Sequence, residues 1–224
     1  MIGATPRRRE DLPLLTGAGR FLDDVRREGC LHLGVVRSLH AHARIGPIDA
    51  KAARAIPGVV AVWGAADLPE VARPLPAPYG GAHRTRPFAQ PVLAHEVARY
   101  VGEPVAVVVA EDPYRLADGL EVVGVDYEVL PAVIDPARGA APRLHDGWPD
   151  NVAVVARGVV GDVERALAES DVVVEERIRH PRLAAVPLEP RGALAYREPE
   201  SGDLVLWSST QNPYLVRDAV AGVL

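Results

Sequence analysis

Short valine-rich runs alternate along this chain with short stretches of helical periodicity, a rhythm that predicts a mixed α/β or α+β fold. "LHLGVVRS" (31–38) reads as a strand. "DAKAARAI" (49–56) reads as a short helix with Asp49 at its N-cap, stopped by Pro57 and Gly58, and "VVAVWG" (59–64) resumes extended chain. "EPVAVVVA" (103–110) is apolar on both faces, as a buried strand is. In "DPYRLADGLEVV" (112–123), Asp112 suits the N-cap and Pro113 the first helical position, and Leu116, Leu120 and Val123 form one apolar stripe. "VDYEVL" (125–130) is a further strand. Strand, helix and strand within thirty residues predict a right-handed crossover between parallel strands.

Two proline-rich stretches punctuate the pattern. Residues 68–91 form a long connection, read as an excursion over a partner surface or a mobile segment. Residues 134–151 read as a linker, which divides the chain into a first domain at 1–140, a connection at 141–151 and a second part at 152–224. The second part carries a helix at 162–169, strands at 171–179, 192–196 and 204–208, and a last helix from Pro213 with Asn212 as its cap. That helix presents Leu215, Val216, Ala219, Val220 and Val223 on one face and ends on Leu224 without a polar tail. Natural C-termini are mostly polar and frayed, so truncation is expected.

Composition narrows the class. The chain is 48% hydrophobic and 25% charged, as soluble globular proteins are, and its net charge of −5 offers no electrostatic footprint for nucleic acid. Arg7, Arg8 and Arg9 are followed by Glu10 and Asp11 rather than by the apolar run of an export signal. No window approaches the roughly 18 apolar residues of a membrane span. Cys30 is the sole cysteine, which excludes an intrachain disulfide. A cytoplasmic protein is expected.

Residue chemistry alone yields no reactive constellation. His40 and His42 can point the same way on a strand, but His32, His83, His95, His145 and His180 make no ligand-spaced group with them, so turn histidines are the expectation. Gly17-Ala18-Gly19 lacks the third glycine and the preceding strand of a dinucleotide loop and reads as a tight turn. Glu103 and Glu189 each precede a proline; either can be a catalytic carboxylate, anchoring a loop being the commoner fate.

"LVLWSSTQNPYLVRD" (204–218) resembles the strand–loop–helix near the start of the molybdopterin-binding region of the xanthine dehydrogenase, aldehyde oxidase and carbon monoxide dehydrogenase large-subunit family. Six further stretches resemble the family in the expected order. They are "REDLPLLTGAGRFLDD" (9–24), "LHLGVVRSLHAHARIGPID" (31–49), "IPGVVAVWGAADLP" (56–69), "RYVGEPVAVVVAED" (99–112), "VDYEVLPAVIDP" (125–136) and "PLEPRGALA" (187–195).

The resemblance implies an α/β hammerhead domain to about residue 140, followed by the beginning of a molybdenum-pterin cofactor-binding domain. In the family the glutamine of the "STQ" segment sets its side-chain amide beside the molybdenum centre, and the matching residue is Gln211. A helix N-terminus just past it suits an anionic, oxygen-rich group. A neutral amide can hydrogen-bond such a group without ligating the metal. The implied activity is hydroxylation of an aldehyde, purine or N-heterocycle, or oxidation of carbon monoxide, with oxygen from water. Iron–sulfur and FAD subunits, together with the remainder of the large subunit, are the implied partners.

The glycine-rich Phe-Gly segment and the base glutamate of the family lie beyond the match, so the chain is expected to be inactive and self-associating by itself. The alternative is a non-catalytic docking subunit that keeps the hammerhead fold.

Overall fold

A computed structural model describes residues 3, 5–69, 74–75, 84–85, 90–135, 137 and 142–224. The expectations that fall on His83, on much of 68–91 and on 138–141 lie outside the described residues. The helices are α1 (Asp11–Leu15), α2 (Lys51–Arg54), α3 (Pro113–Val122), α4 (Val163–Ala168) and α5 (Pro213–Val223). The longer strands are β1 (His32–Arg37), β2 (Ala43–Asp49), β3 (Val59–Gly64), β6 (Pro104–Ala110), β7 (Gly124–Val129), β9 (Ala193–Arg197) and β10 (Leu204–Ser208). Three two-residue strands complete the set: β4 (Arg84–Thr85), β5 (Val97–Ala98) and β8 (Val154–Val155). The chain divides into two compact units, Met1–Cys30 with Arg177–Val216, and Leu31–Glu176 with Arg217–Leu224.

The larger unit holds two three-stranded sheets, in the orders β1-β6-β3 and β5-β2-β7, and a small β4-β8 pair. Every pairing is antiparallel. The β6 strand is central, with Leu33 opposite Val109 on one side and Val62 opposite Val108 on the other. Its residues Val105 to Ala110 are all buried. Helix α3 packs over this sheet, and Leu116, Leu120 and Val123 meet the buried cluster of Ala50, Ala53, Val62 and Val108. The predicted stripe is therefore the face that the helix buries.

Glycine sets how closely the layers approach. A Cβ at Gly34 would lie 2.6 Å from Leu120 Cδ1, and one at Gly119 would lie 3.0 Å from Val108 Cγ1. The start of α3 follows its sequence signature: Asp112 Oδ1 accepts from the Tyr114 and Arg115 N–H groups at 2.8 and 2.9 Å, with Pro113 next in line. Asp49 Oδ1 does the same for Lys51 N at 3.0 Å, although Ala50 occupies the cap of α2.

Two expectations need correction, and one strand was not foreseen. The strands flanking α3 are not parallel neighbours, since β6 and β7 belong to different sheets. Both edges of β6 are taken by β1 and β3, and β7, only half-buried on alternate residues, pairs with β2 instead. An all-apolar run signals a strand covered on both faces, and a central antiparallel strand satisfies that as well as a parallel one. Strand β2 was hidden by Gly46 and Pro47, which sit where its register against β7 shifts between Ile45 and Ile48. Residues 171–179 form no strand: they run as irregular chain, with Val172 and Val174 77% and 78% exposed. Valine alternation gives extended preference, but a strand also requires a neighbour to take its backbone groups.

The smaller unit is built on the antiparallel β9–β10 hairpin, in register from Ala193–Ser208 to Arg197–Leu204. Gly202, at φ 74°, makes its turn, with Glu198 N donating to Asp203 O at 2.8 Å. Residues 11–19 form α1 and its exit, where the Ala18 and Gly19 N–H groups both return to Pro13 O. Gly17 sits there at φ 72°, so the glycine pair is a helix-terminal turn. No helix among the described residues is long and apolar enough to cross a membrane.

Candidate cofactor-facing site

Strand β10 delivers Ser208 to the end of the hairpin, and a four-residue loop leads from there into α5. Ser209 ties that loop to the chain entering β9. Its N–H donates to Gly192 O at 3.2 Å, its Oγ accepts from Gly192 N at 2.9 Å, and Oγ lies 3.1 Å from Pro190 O as a donor. Thr210 Oγ1 accepts from Asn212 N at 3.0 Å, and Asn212 O accepts from Val216 N at 3.1 Å, opening the helix. Thr210, Gln211 and Asn212 are exposed, whereas Ser208 and Ser209 are half-buried. Among the described residues the Gln211 side chain makes no hydrogen bond. The loop thus displays a free neutral amide, with hydroxyl groups beside it, at the positive end of an eleven-residue helix.

This donor set fits an anionic group that arrives with its metal already held. Amide and backbone N–H groups donate hydrogen bonds to oxygen and do not ligate metal. Glu189, the carboxylate adjoining the loop, is committed elsewhere, its Oε1 accepting from Leu22 N at 3.0 Å. A cavity of about 280 Å³ adjoins this contact, lined by Arg20, Phe21, Leu22, Val25, Glu189 and residues 207–210.

His40, His42 and Glu103 belong to the larger unit. His42 is buried with Nδ1 2.7 Å from Pro131 O, and His40 meets the Tyr127 ring edge-on at 5.0 Å. Among the described residues no three histidine, cysteine or acidic side chains are grouped to hold a metal ion. Glu103, 4% exposed, closes the turn before β6 by accepting from Arg99 N at 2.5 Å. Both flagged glutamates are therefore loop anchors. The stapling role of Ser209 was not legible in the sequence, because it depends on Gly192, which lies 17 residues away.

Burial pushes the Glu103 carboxyl above its ordinary range, against the pull of the Arg99 N–H and charge and of the Tyr100 N–H. The folded form then holds this proton more tightly than the unfolded chain, so the group's contribution is largest in acid and is lost as pH rises through its folded value. His145 behaves oppositely, held low by burial and by the charges of Arg99 and His42. Its contribution is full above the ordinary imidazole value, about 6.5, and is lost as pH falls. Glu103→Gln keeps an acceptor for Arg99 N without the buried charge. Relative to the parent it is expected to be more stable at pH 7 than at pH 5. Urea unfolding at the two pH values checks this, and a flat or reversed difference contradicts it.

Two family models match successive stretches of the chain. Residues 16–131 match the aldehyde oxidase and xanthine dehydrogenase a/b hammerhead domain, and residues 144–224 match the molybdopterin cofactor-binding domain. The nicotine 6-hydroxylase large subunit of Paenarthrobacter nicotinovorans is 41% identical over 97% of this chain and 27% of its own length. The carbon monoxide dehydrogenase large chain of Afipia carboxidovorans is 36% identical over 98% of this chain and 28% of its own length. The crystal structure of quinoline 2-oxidoreductase from Pseudomonas putida 86 superposes with a TM-score of 0.84 at 39% identity, covering 99% of this chain and 28% of that one. The chain thus spans less than a third of each of these relatives. It belongs to the aldehyde oxidase and xanthine dehydrogenase family, with an α/β hammerhead domain followed by the start of a molybdopterin cofactor-binding domain.

Proposed function

We propose that this chain supplies the N-terminal portion of a molybdenum-hydroxylase large subunit and forms one wall of its cofactor site, with Gln211 as the residue facing the centre. The carrying observation is the exposed Gln211 amide, without a hydrogen bond among the described residues, on a loop stapled by Ser209 at the N-terminus of α5. When bound, the molybdenum-pterin cofactor supplies the two-electron oxidation by which a carbon centre gains oxygen from water. The chain's own part is to bind and orient. Gln211 donates a hydrogen bond to the cofactor's oxygen-rich face, and the first N–H groups of α5 add a favourable field. In this reading residues 1–140 are the hammerhead domain, 141–151 connect, and 152–224 begin the cofactor-binding domain. Iron–sulfur and FAD subunits receive the electrons, in the cytoplasm, and the substrate is an aldehyde, a purine, an N-heterocycle or carbon monoxide.

Independent activity is not expected. Ile178, Leu183, Val186 and Leu188 are between 76% and 88% exposed, in a stretch that forms no strand. Large apolar side chains exposed along irregular chain are suited to burial against a partner surface. In the proposal that partner is the remainder of the large subunit. Sedimentation tests this directly. The chain alone self-associates, and co-production with the remaining large-subunit segment gives a one-to-one complex. A monomer that melts sharply and reversibly by itself sinks the proposal.

A further inference from the structure

The segment 189–192 has contacts on two sides. Toward the loop, Pro190 O and both backbone groups of Gly192 hold Ser209. Toward the N-terminal arm, Glu189 Oε1 accepts from Leu22 N, and the Leu22 side chain lies against Gly192, where an added Cβ would clash with Leu22 Cδ2. Further along, the Arg27 guanidinium stands 3.4 Å above the centre of the Tyr196 ring in β9. The arm therefore grips the hairpin and the chain leading into it at three residues, and two of those contacts fall on the segment that staples the Gln211 loop.

We infer that Glu189 is a positioning residue, clasping the arm around Leu22 to the segment that holds the Ser209–Gln211 loop, so that the chain's first thirty residues set the cofactor-facing wall. The physical route is short. Leu22 fixes Glu189 and Gly192, Gly192 fixes Ser209, and Gln211 follows two residues later. The inference rests on the reading of Gln211 as the cofactor-facing residue, and it extends that reading to residues that never touch the cofactor.

Hydrogen exchange on the full 224-residue chain at low concentration is the test. Losing a hydrogen bond to a charged acceptor corresponds to about a tenfold rise in exchange, or more, where the contact limits local opening. Glu189→Ala is expected to produce that rise both at Leu22 and across residues 208–212. Glu189→Gln, whose amide oxygen still accepts, restores most of the protection. Ser209→Ala is expected to loosen 208–212 while leaving Leu22 protected.

A rise at Leu22 alone, or at neither place, overturns the inference. If Glu189→Ala also exposes β9 and β10, the smaller unit has unfolded and the decision passes to Ser209→Ala, whose failure to loosen 208–212 overturns it equally. In the assembled enzyme, faster cofactor release from Glu189→Ala, rescued by Glu189→Gln, is the matching readout. Cofactor release unaffected by Gln211→Ala, with the exchange pattern intact, counts against the reading of Gln211 and leaves the clasp standing.

Discussion

In an enzyme assembled with this chain, Gln211→Ala lowers turnover about 10- to 100-fold, the range typical of residues that hydrogen-bond a metal centre without ligating it. The side chain is exposed and makes no hydrogen bond among the described residues, so its removal breaks nothing within the chain. Folding and subunit assembly are therefore unchanged, and the loss is confined to the chemistry or to cofactor retention. Gln211→Glu is worse than alanine, because it replaces a donor with an anionic acceptor facing an anionic group. Gln211→Asn retains the donor on a shorter arm and falls between. Steady-state kinetics normalised to bound molybdenum measures all three. Unchanged turnover in the alanine variant at full molybdenum loading contradicts the assignment.

Val108→Asp abolishes folding of the β1-β6-β3 sheet. Val108 is fully buried, and its cluster of Ala50, Ala53 and Val62, with Leu116 and Leu120 against it, contains no side chain that can pair with a carboxylate. An unpaired buried charge costs several kcal/mol or shifts its pKa until it is neutral. A domain of this size is stable by only about 5–15 kcal/mol, so one such substitution removes much of the margin. Val108→Thr, close in shape, carries a single hydroxyl into the same place and costs about 1–3 kcal/mol. Circular dichroism and urea unfolding of the two variants separate these outcomes. A folded Val108→Asp protein would show that the strand is not the centre of the core.

How much of this was legible in the sequence depends on how local each signal is. The α3 helix was legible from Asp112 to its apolar stripe because a cap and a 3.6-residue period are local, and strand β3 was legible because Pro57 and Gly58 mark its start. Pairing was not. The β6 run says that both faces are covered but not by which neighbours, and Gly46-Pro47 broke the visible pattern of β2 without breaking the strand. The stretch 171–179 failed in the other direction, since its valines favour extended chain but find no partner strand. Of the candidate site, Gln211 came from the resemblance of the strand–loop–helix around it. Its local surroundings alone describe no more than a loop residue before a helix. The attachment of Leu22 to Glu189 crosses 167 residues of sequence, a distance over which no periodicity or motif operates.

The most direct test of the central claim is the molybdenum content of this chain in its complex with the remaining large-subunit segment, purified without denaturation. The account predicts close to one molybdenum per complex, and its loss or marked depletion when Gln211 is replaced by alanine. A stable complex that carries no molybdenum would contradict the account and leave the chain as a docking subunit with a hammerhead fold.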